Sequence, residues 1–167
     1  MTDEHLPLGD THFAVWADFV LAHTRIMRLI ERRIRASSGL TWSQYDVLYN
    51  LDVEPGGRLS VSALTRTLLY SSGSASNLVA GMERSGLLER ERSGTDRRVS
   101  ETRMTPAGRA AFESATAVVL QAVNEEFATK LGDDELPAVA AFLQRVRAGD
   151  GGDQQRATVT DGGDGGN

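Results

Sequence analysis

The stretch MERSGLLERERSGTDRRVSETRMTPAGR, residues 82–109, decides the fold of this 167-residue chain. Within it, LLERERSG and RRVSETRM have alternating character and are joined by SGTD, with Gly94 at the turn. Alternation with a period of two on both sides of a glycine-containing turn predicts a β-hairpin. A helix then begins at Thr105 and Pro106, because proline is tolerated in the first helical turn, and it extends to about Leu131.

The first helix of the chain is more apolar than one small domain can cover. It begins at Thr11 and ends at the SSG of residues 37–39, and its apolar positions fall on two helical stripes. We therefore expect it to pack against another subunit. The two stripes are Phe13, Trp16, Val20, His23, Met27, Ile30 and Ile34, and Val15, Phe19, Ala22, Ile26 and Leu29.

Three more helices are predicted before the hairpin. Thr41 and Gln44 have the spacing of a capping box at the start of the second helix. The third helix begins at Ser60, and the fourth follows a turn at residues 70–72 and ends at Gly86. The predicted buried face of the second helix is Tyr45, Leu48 and Leu51.

Helix, helix, short turn, helix and hairpin is the order of a winged helix-turn-helix, in which the second helix of the pair enters the major groove of DNA. The predicted fold class is mainly α with a small β-hairpin wing, a winged helix-turn-helix plus an all-α dimerisation region. The predicted segments are a flexible arm at 1–10, an N-terminal dimerisation helix at 11–38, a DNA-binding lobe at 39–104, C-terminal dimerisation helices at 105–148 with the last helix starting at Asp133, and a disordered Gly/Asp-rich tail at 149–167.

Positive charge is concentrated in one part of the chain. Between Arg58 and Arg109 there are nine arginines and five acidic residues, although the whole chain has a formal net charge of -5. A field that attracts phosphate needs only to be local. The sequence therefore predicts a basic module for nucleic acid inside an otherwise acidic protein.

Several function classes are excluded by composition. The chain has no cysteine, which excludes disulfides, thiolate catalysis and zinc–thiolate sites. Its three histidines lack neighbours with metal-ligand spacing, and no nucleophile–base pair or phosphate-binding glycine loop is evident. We expect no metal, no cofactor and no enzymatic activity. Because no long uncharged apolar run occurs, we also expect a cytoplasmic protein without a membrane span.

The segments LTWSQYDVL, LSVSALTRTL and the 82–109 stretch resemble the MarR family of bacterial transcription regulators. The resemblance covers residues 11–148, and its most specific part is DRR, closely followed by TPAG. It implies a homodimer that binds double-stranded DNA and responds to a small-molecule effector.

The hairpin, or wing, supplies the first set of implied DNA contacts. By resemblance, Asp96 orients Arg98, and Arg98 enters the minor groove, while Arg97 contacts phosphate. Arg92 lies beside this group in the sequence. The alternative interpretation is a charged, solvated turn.

The predicted recognition helix departs from the family pattern. Many members have basic residues at positions matching Asn77 or Leu78 and Gly81. Short hydroxyls and an amide can contact base edges but attract phosphate weakly, or they can simply cap and solvate the helix. The candidate base contacts are Ser72, Ser74, Ser76 and Asn77, and affinity then depends on the wing and on Arg66, Arg84, Arg90 and Arg92.

The resemblance also implies an effector pocket, for which the candidates are Trp16, His23, Asp46 and Arg90. Urate-responsive members use a Trp, an Asp and two Arg residues, and Leu78 replaces one of those arginines here, which disfavours urate. The alternatives are a hydrogen-bonded core or interface role for His23, a core role for Trp16, and an ion pair for Asp46.

The sequence thus predicts a homodimeric regulator, a repressor that a small molecule of unknown identity releases from a palindromic operator. The competing hypothesis is a winged-helix protein–protein interaction module that has lost specific DNA recognition.

Overall fold

A computed structural model describes residues 9–67, 72–92 and 100–148. These residues form two compact units that divide after Glu126. The mainly helical first unit with its small sheet confirms the predicted fold class. Its elements are α1 (Asp10–Ser38), α2 (Trp42–Val53), β1 (Arg58–Ser60), α3 (Val61–Thr67), α4 (Ser72–Arg84), β2 (Leu88–Arg92), β3 (Ser100–Met104) and α5 (Pro106–Glu126).

The predicted boundary between α1 and α2 is confirmed. Gly39 has a φ of 73°, in the left-handed region that favours glycine, and its N–H donates to the Arg35 carbonyl at 3.1 Å. The Thr41 hydroxyl accepts from the Gln44 N–H at 3.2 Å, and the Gln44 side chain accepts from the Thr41 N–H at 2.9 Å. This reciprocal capping box fixes the start of α2.

One apolar core joins the four longest helices of the first unit. The predicted buried face of α2 is confirmed, and Val47 is buried beside it. The ring of Tyr45 stacks on Phe112 of α5, with 5.5 Å between the ring centroids. The other helices contribute Ile30 and Ile34 from α1, Ala75, Val79 and Met82 from α4, and Phe112, Ala115 and Ala122 from α5.

Helix α1 packs along α5, and ion pairs accompany the apolar contact. Arg25 lies 2.8 Å from Glu126, and Arg33 lies 2.7 Å from Glu125. The Arg33 guanidinium, with the Gln121 amide, holds the pKa of the Glu125 carboxyl below its usual value. These contacts tie the middle of α1 to the end of α5.

The sheet has three strands, whereas the sequence predicted a two-stranded hairpin and a helix beginning at Ser60. The strand order is β1-β3-β2, and both pairings are antiparallel. Arg58 lies opposite Arg103, and Ser60 opposite Glu101. A three-residue strand is too short to show alternation, so pairing with β3, and not a local sequence pattern, produces β1. The helix α3 accordingly begins at Val61.

The sheet has one apolar and one charged face. Leu88 and Thr102 are buried, and Met104 packs against the core. On the other face, Arg103 pairs with Glu89 and Glu91. This is the expected pattern for an antiparallel sheet with one solvated face.

Thr102 has a buried hydroxyl with no hydrogen-bond partner among the described residues. Such a group costs about 1–3 kcal/mol, so Thr102→Val, which keeps the shape, is expected to raise the free energy of unfolding by about 1 kcal/mol. Urea denaturation measures this. The control is Thr116→Val, because the Thr116 hydroxyl donates to the Tyr45 hydroxyl at 3.4 Å. Greater destabilisation by Thr102→Val than by the control would contradict the expectation.

The base of the hairpin is fastened to the start of α5. The Thr105 hydroxyl donates to the Gly86 carbonyl at 2.6 Å and accepts from the Gly108 N–H at 3.0 Å. The Thr105 N–H donates to the Leu87 carbonyl at 3.1 Å. Thr105 therefore both caps α5 and closes the base of the hairpin.

The sequence predicted that α5 extends to about Leu131, but the helix ends at Glu126. The backbone leaves helical geometry at Phe127, where φ is -129° and ψ is -61°. In the second unit, a short 3₁₀ helix, Ala128–Lys130, precedes α6, Leu136–Ala148, which starts three residues after the predicted Asp133. In the described residues, no helix is both long and apolar enough to cross a bilayer.

The predicted tail, residues 149–167, and residues 1–8 of the predicted arm lie outside the described residues. Asp10, which was predicted to belong to the arm, is the first residue of α1. The roles assigned to segments 11–38, 39–104 and 105–148 remain predictions.

Candidate nucleic-acid interface

Helix α4 has a buried and an exposed face. Ala75, Val79 and Met82 are buried at helical spacing and hold the helix on the core. The opposite face is polar, because Ser74, Ser76 and Asn77 are exposed. The side chain of Ser72 lies outside what the structure describes. Exposure of these three residues is compatible with base contact and with plain solvation, the two interpretations of the sequence.

Most arginines described in this lobe are already held by carboxylates. Cross-strand pairs join Arg58 to Glu91 at 3.2 Å, and Arg103 to Glu89 at 3.0 Å and to Glu91 at 2.7 Å. Arg90 pairs with Glu83, and Arg109 pairs with Asp52. An ion pair reduces the charge that a phosphate experiences at a distance. The local excess of arginine therefore overstates the available positive field.

Two arginines in the described part of the lobe are exposed and form no ion pair with another described residue. Arg66 lies in the last turn of α3, and Arg84 lies in the last turn of α4. Their positions at helix C-termini are favourable for cations. Among the described cations of this lobe, they are the most available to a phosphate backbone.

The predicted wing contacts lie beyond the strands that the structure describes. Arg92 and Ser100 form the last register pair of β2 and β3. Residues 93–99, with Asp96, Arg97 and Arg98, lie outside the described residues, as does the side chain of Arg92. Their roles remain predictions.

Two of the effector candidates lie on one stripe of α1. Trp16 stacks on Phe19 with ring centroids 6.0 Å apart, and Phe19 stacks on His23 at 6.4 Å. Trp16 is 58% exposed. Trp16 is therefore not a core residue within one subunit, and its ring is available to a partner or a ligand.

A surface hollow of about 490 Å³ lies between α1 and α2. His23 lines it together with Met27, Arg28 and Trp42. Trp16, Asp46 and Arg90 are not among the described residues that line it.

Asp46 and Arg90 make contacts of their own. The Asn50 amide donates to the Asp46 carboxylate at 3.2 Å and to its carbonyl at 2.7 Å. Arg90 is held by Glu83. The structure thus places one candidate in the hollow, and the four-residue pocket remains a prediction.

The paired arginines are the feature that sequence reasoning missed. Arg90 was expected to contribute to DNA affinity, yet its guanidinium is held by a carboxylate seven positions earlier. Alternation of E and R in LLERERSG and in RRVSETRM indicates cross-strand pairs, but only once the register of the two strands is known.

Comparison with known proteins identifies the family. The MarR family model matches residues 38–99. A protein of Thauera aromatica, described as a transcriptional regulatory protein for the hcr operon, is 31% identical over 119 residues, which are 71% of this chain and 70% of that protein. The chain belongs to the MarR family of transcriptional regulators.

Solved structures of other proteins share the fold of this chain. Sco3205, a MarR family regulator from Streptomyces coelicolor solved in complex with DNA, superposes with a TM-score of 0.77 at 21% identity, covering 88% of this chain and 92% of that chain. Bordetella bronchiseptica BpsR, whose DNA binding is regulated by 6-hydroxynicotinic acid, has a TM-score of 0.65 at 22% identity, covering 80% of this chain and 98% of that chain. At such identities the likeness concerns the fold.

Proposed function

We propose that this MarR-family regulator binds a palindromic DNA operator as a homodimer and represses transcription until a small molecule releases it. The observation that carries the proposal is the exposed polar face of α4, with two exposed arginines in the helix–turn–helix, Arg66 and Arg84, that form no ion pair with a described residue. This arrangement suits a helix in the major groove with phosphate contacts beside it. The DNA complex of Sco3205, which has the same fold, supports this placement.

The wing completes the proposed interface. Arg98 enters the minor groove, Asp96 orients it, and Arg97 and Arg92 contact phosphates. These arginines are important because the carboxylates on the sheet engage Arg58 and Arg103 and thereby reduce the positive charge that the rest of the lobe presents.

Exposed apolar side chains support the proposed homodimer. On α1, Phe13 is 61% exposed, and Trp16 and Phe19 are exposed beside it. In the second unit, Leu136, Phe142 and Val146 of α6 are exposed. Exposed aromatic and aliphatic residues clustered on helices are typical of surfaces that another chain covers.

We further propose that the effector binds near Trp16, His23, Asp46 and Arg90. The hollow that His23 lines and the regulation of BpsR by 6-hydroxynicotinic acid support a small, planar ligand class. Urate remains disfavoured because Leu78 stands where a second arginine would balance its charge.

Salt-dependent DNA binding tests the function. Fluorescence anisotropy with a palindromic fragment from the DNA flanking the protein's own gene is expected to show an affinity that falls with salt, with a log–log slope of about -0.9 for each phosphate neutralised. A protein–protein interaction module would show no preference for the palindrome over scrambled DNA. That result would reject the proposal.

Arg84→Gln is expected to weaken binding about 10-fold for operator and scrambled DNA alike, and to reduce the salt slope by about one per subunit. The matched control is Arg58→Gln, which changes the net charge equally but removes a guanidinium that is already paired with Glu91. Its affinity should stay close to that of the wild type. Equal losses in the two variants would show that net charge alone, and not an available cation beside α4, governs affinity.

A further inference from the structure

A second hollow, of about 460 Å³, lies at the base of the wing, between the α2–β1 turn, the sheet and the start of α5. It is distinct from the hollow that His23 lines. Three arginines, one glutamate and two adjacent glycines line it: Arg58, Arg103, Arg109, Glu89, Gly56 and Gly57. Its volume is within the range of small-molecule sites.

Strand register brings the charged groups of this hollow together. Arg58 is opposite Arg103 on one side, and Glu89 is opposite Arg103 on the other, so the three form one row across the sheet. Directly opposed residues of antiparallel strands project from the same face. Arg109, from the first turn of α5, adds a third guanidinium.

The ion pairs of these arginines do not use all of their guanidinium N–H donors. Each guanidinium has five N–H groups, and the shortest contact of each ion pair uses one terminal nitrogen: Nη2 of Arg58, Nη2 of Arg103 and Nη1 of Arg109. The Nε of Arg103 is buried and has no acceptor among the described residues. A buried donor without an acceptor is unfavourable. The terminal N–H groups that these ion pairs do not use can donate charge-assisted hydrogen bonds to an anion.

The rim formed by the α2–β1 turn is free of side chains. Gly56 and Gly57 have φ values of 90° and 66°, a conformation that other residues rarely adopt. A Cβ at Gly56 would meet no atom within 4 Å. Glycine is required here by the backbone conformation and not by crowding. Because Gly56 and Gly57 have no side chains, the three arginines can be approached from this side of the hollow.

We propose that this hollow binds the oxyanion group, phosphate or carboxylate, of a small molecule. The bidentate geometry of guanidinium suits both groups. The hollow is three register positions, or about 10 Å, from the Arg92–Ser100 pair, where the strands lead to the wing tip. Its lining residues include none of the residues assigned to the wing tip or to the proposed effector pocket.

The test measures anion binding without DNA. Isothermal titration calorimetry at constant ionic strength is carried out with inorganic phosphate and, separately, with succinate. Saturable binding of either anion is expected, and the stronger of the two identifies the ligand class. Arg109→Gln and Arg58→Gln are each expected to weaken it about 10-fold, by removing a charge-assisted donor.

Arg84→Gln is the matched control, because it removes an arginine outside the hollow, and it should bind the anion as the wild type does. Circular dichroism confirms that each variant is folded, and two variants on different elements guard against a local folding defect. The absence of saturable binding for both anions, or an equal loss in Arg84→Gln, would overturn the proposal. Since Arg84→Gln should lose DNA affinity and keep the anion, failure of this site is distinguishable from failure of the proposed function.

Discussion

Replacing Gly108 with alanine is expected to lower the free energy of unfolding by about 3 kcal/mol, which is at the upper end for overpacking. A Cβ at this position would lie 2.0 Å from the Leu87 carbonyl oxygen and 3.0 Å from its carbonyl carbon. Both atoms belong to the backbone, so no side-chain rotation can relieve the contact. The hairpin and α5 would have to separate, and the Thr105 hydrogen bonds to Gly86 and Leu87 would be lost with them.

Gly81→Ala is the matched control, since Gly81 is also a helical glycine. The atom nearest to its added Cβ is Nη2 of Arg84, at 3.8 Å, which is an ordinary contact with a flexible side chain. Alanine favours the helix over glycine, so this variant should gain up to about 1 kcal/mol. Urea denaturation of both variants measures the difference. Destabilisation of less than about 1 kcal/mol by Gly108→Ala would show that the hairpin tolerates displacement from α5.

On the proposed function, Arg98→Ala is expected to reduce operator affinity by at least about 30-fold. A dimer loses the contact in both half-sites, and a specific arginine contact is worth about 1–3 kcal/mol. The effect should be large in this protein because α4 presents Ser74, Ser76 and Asn77 in place of basic residues, and because carboxylates hold Arg58 and Arg103. Few other cations can compensate.

Anisotropy titrations at fixed salt, with Arg32→Ala as the control, measure this loss. Arg32 is an exposed arginine of α1 and lies outside the helix-turn-helix and wing, so its removal changes net charge without changing the proposed interface. Urea denaturation should show equal stability for both variants. An affinity for Arg98→Ala within a factor of two or three of the control would reject the assigned role of the wing tip.

Helix positions and the buried face of α2 followed from the sequence because they depend on local chemistry. The Thr41 capping box and the residue alternation of β2 and β3 are contained within a few residues, and both are confirmed. Strand β1 could not be predicted in the same way, because its three residues are extended only through pairing with β3. The end of α5 at Glu126 was likewise missed, since Phe127 is compatible with a helix by composition.

The candidate site was less predictable than the fold, because charge neutralisation depends on register and on tertiary contacts. Glu83 and Arg90 are seven residues apart, and Asp52 and Arg109 are fifty-seven apart. Neither spacing indicates an ion pair in the sequence. Consequently a count of arginines located the basic lobe, but it could not distinguish Arg84, which is exposed and forms no ion pair with a described residue, from Arg103, which is paired twice.

The Thr105 hydrogen bonds make the wing and α5 parts of one lever whose fulcrum is the Gly86–Thr105 contact. Helix α5 has 21 residues and is about 31 Å long, while β2 and β3 have five residues and are about 17 Å long. If the joint stays rigid, a 2 Å displacement at the Glu126 end of α5, where Arg25 of α1 is attached, moves the far ends of these strands by about 1 Å. This coupling therefore relates any rearrangement of α1 to the positions of Arg92 and Ser100 at the far ends of the two strands.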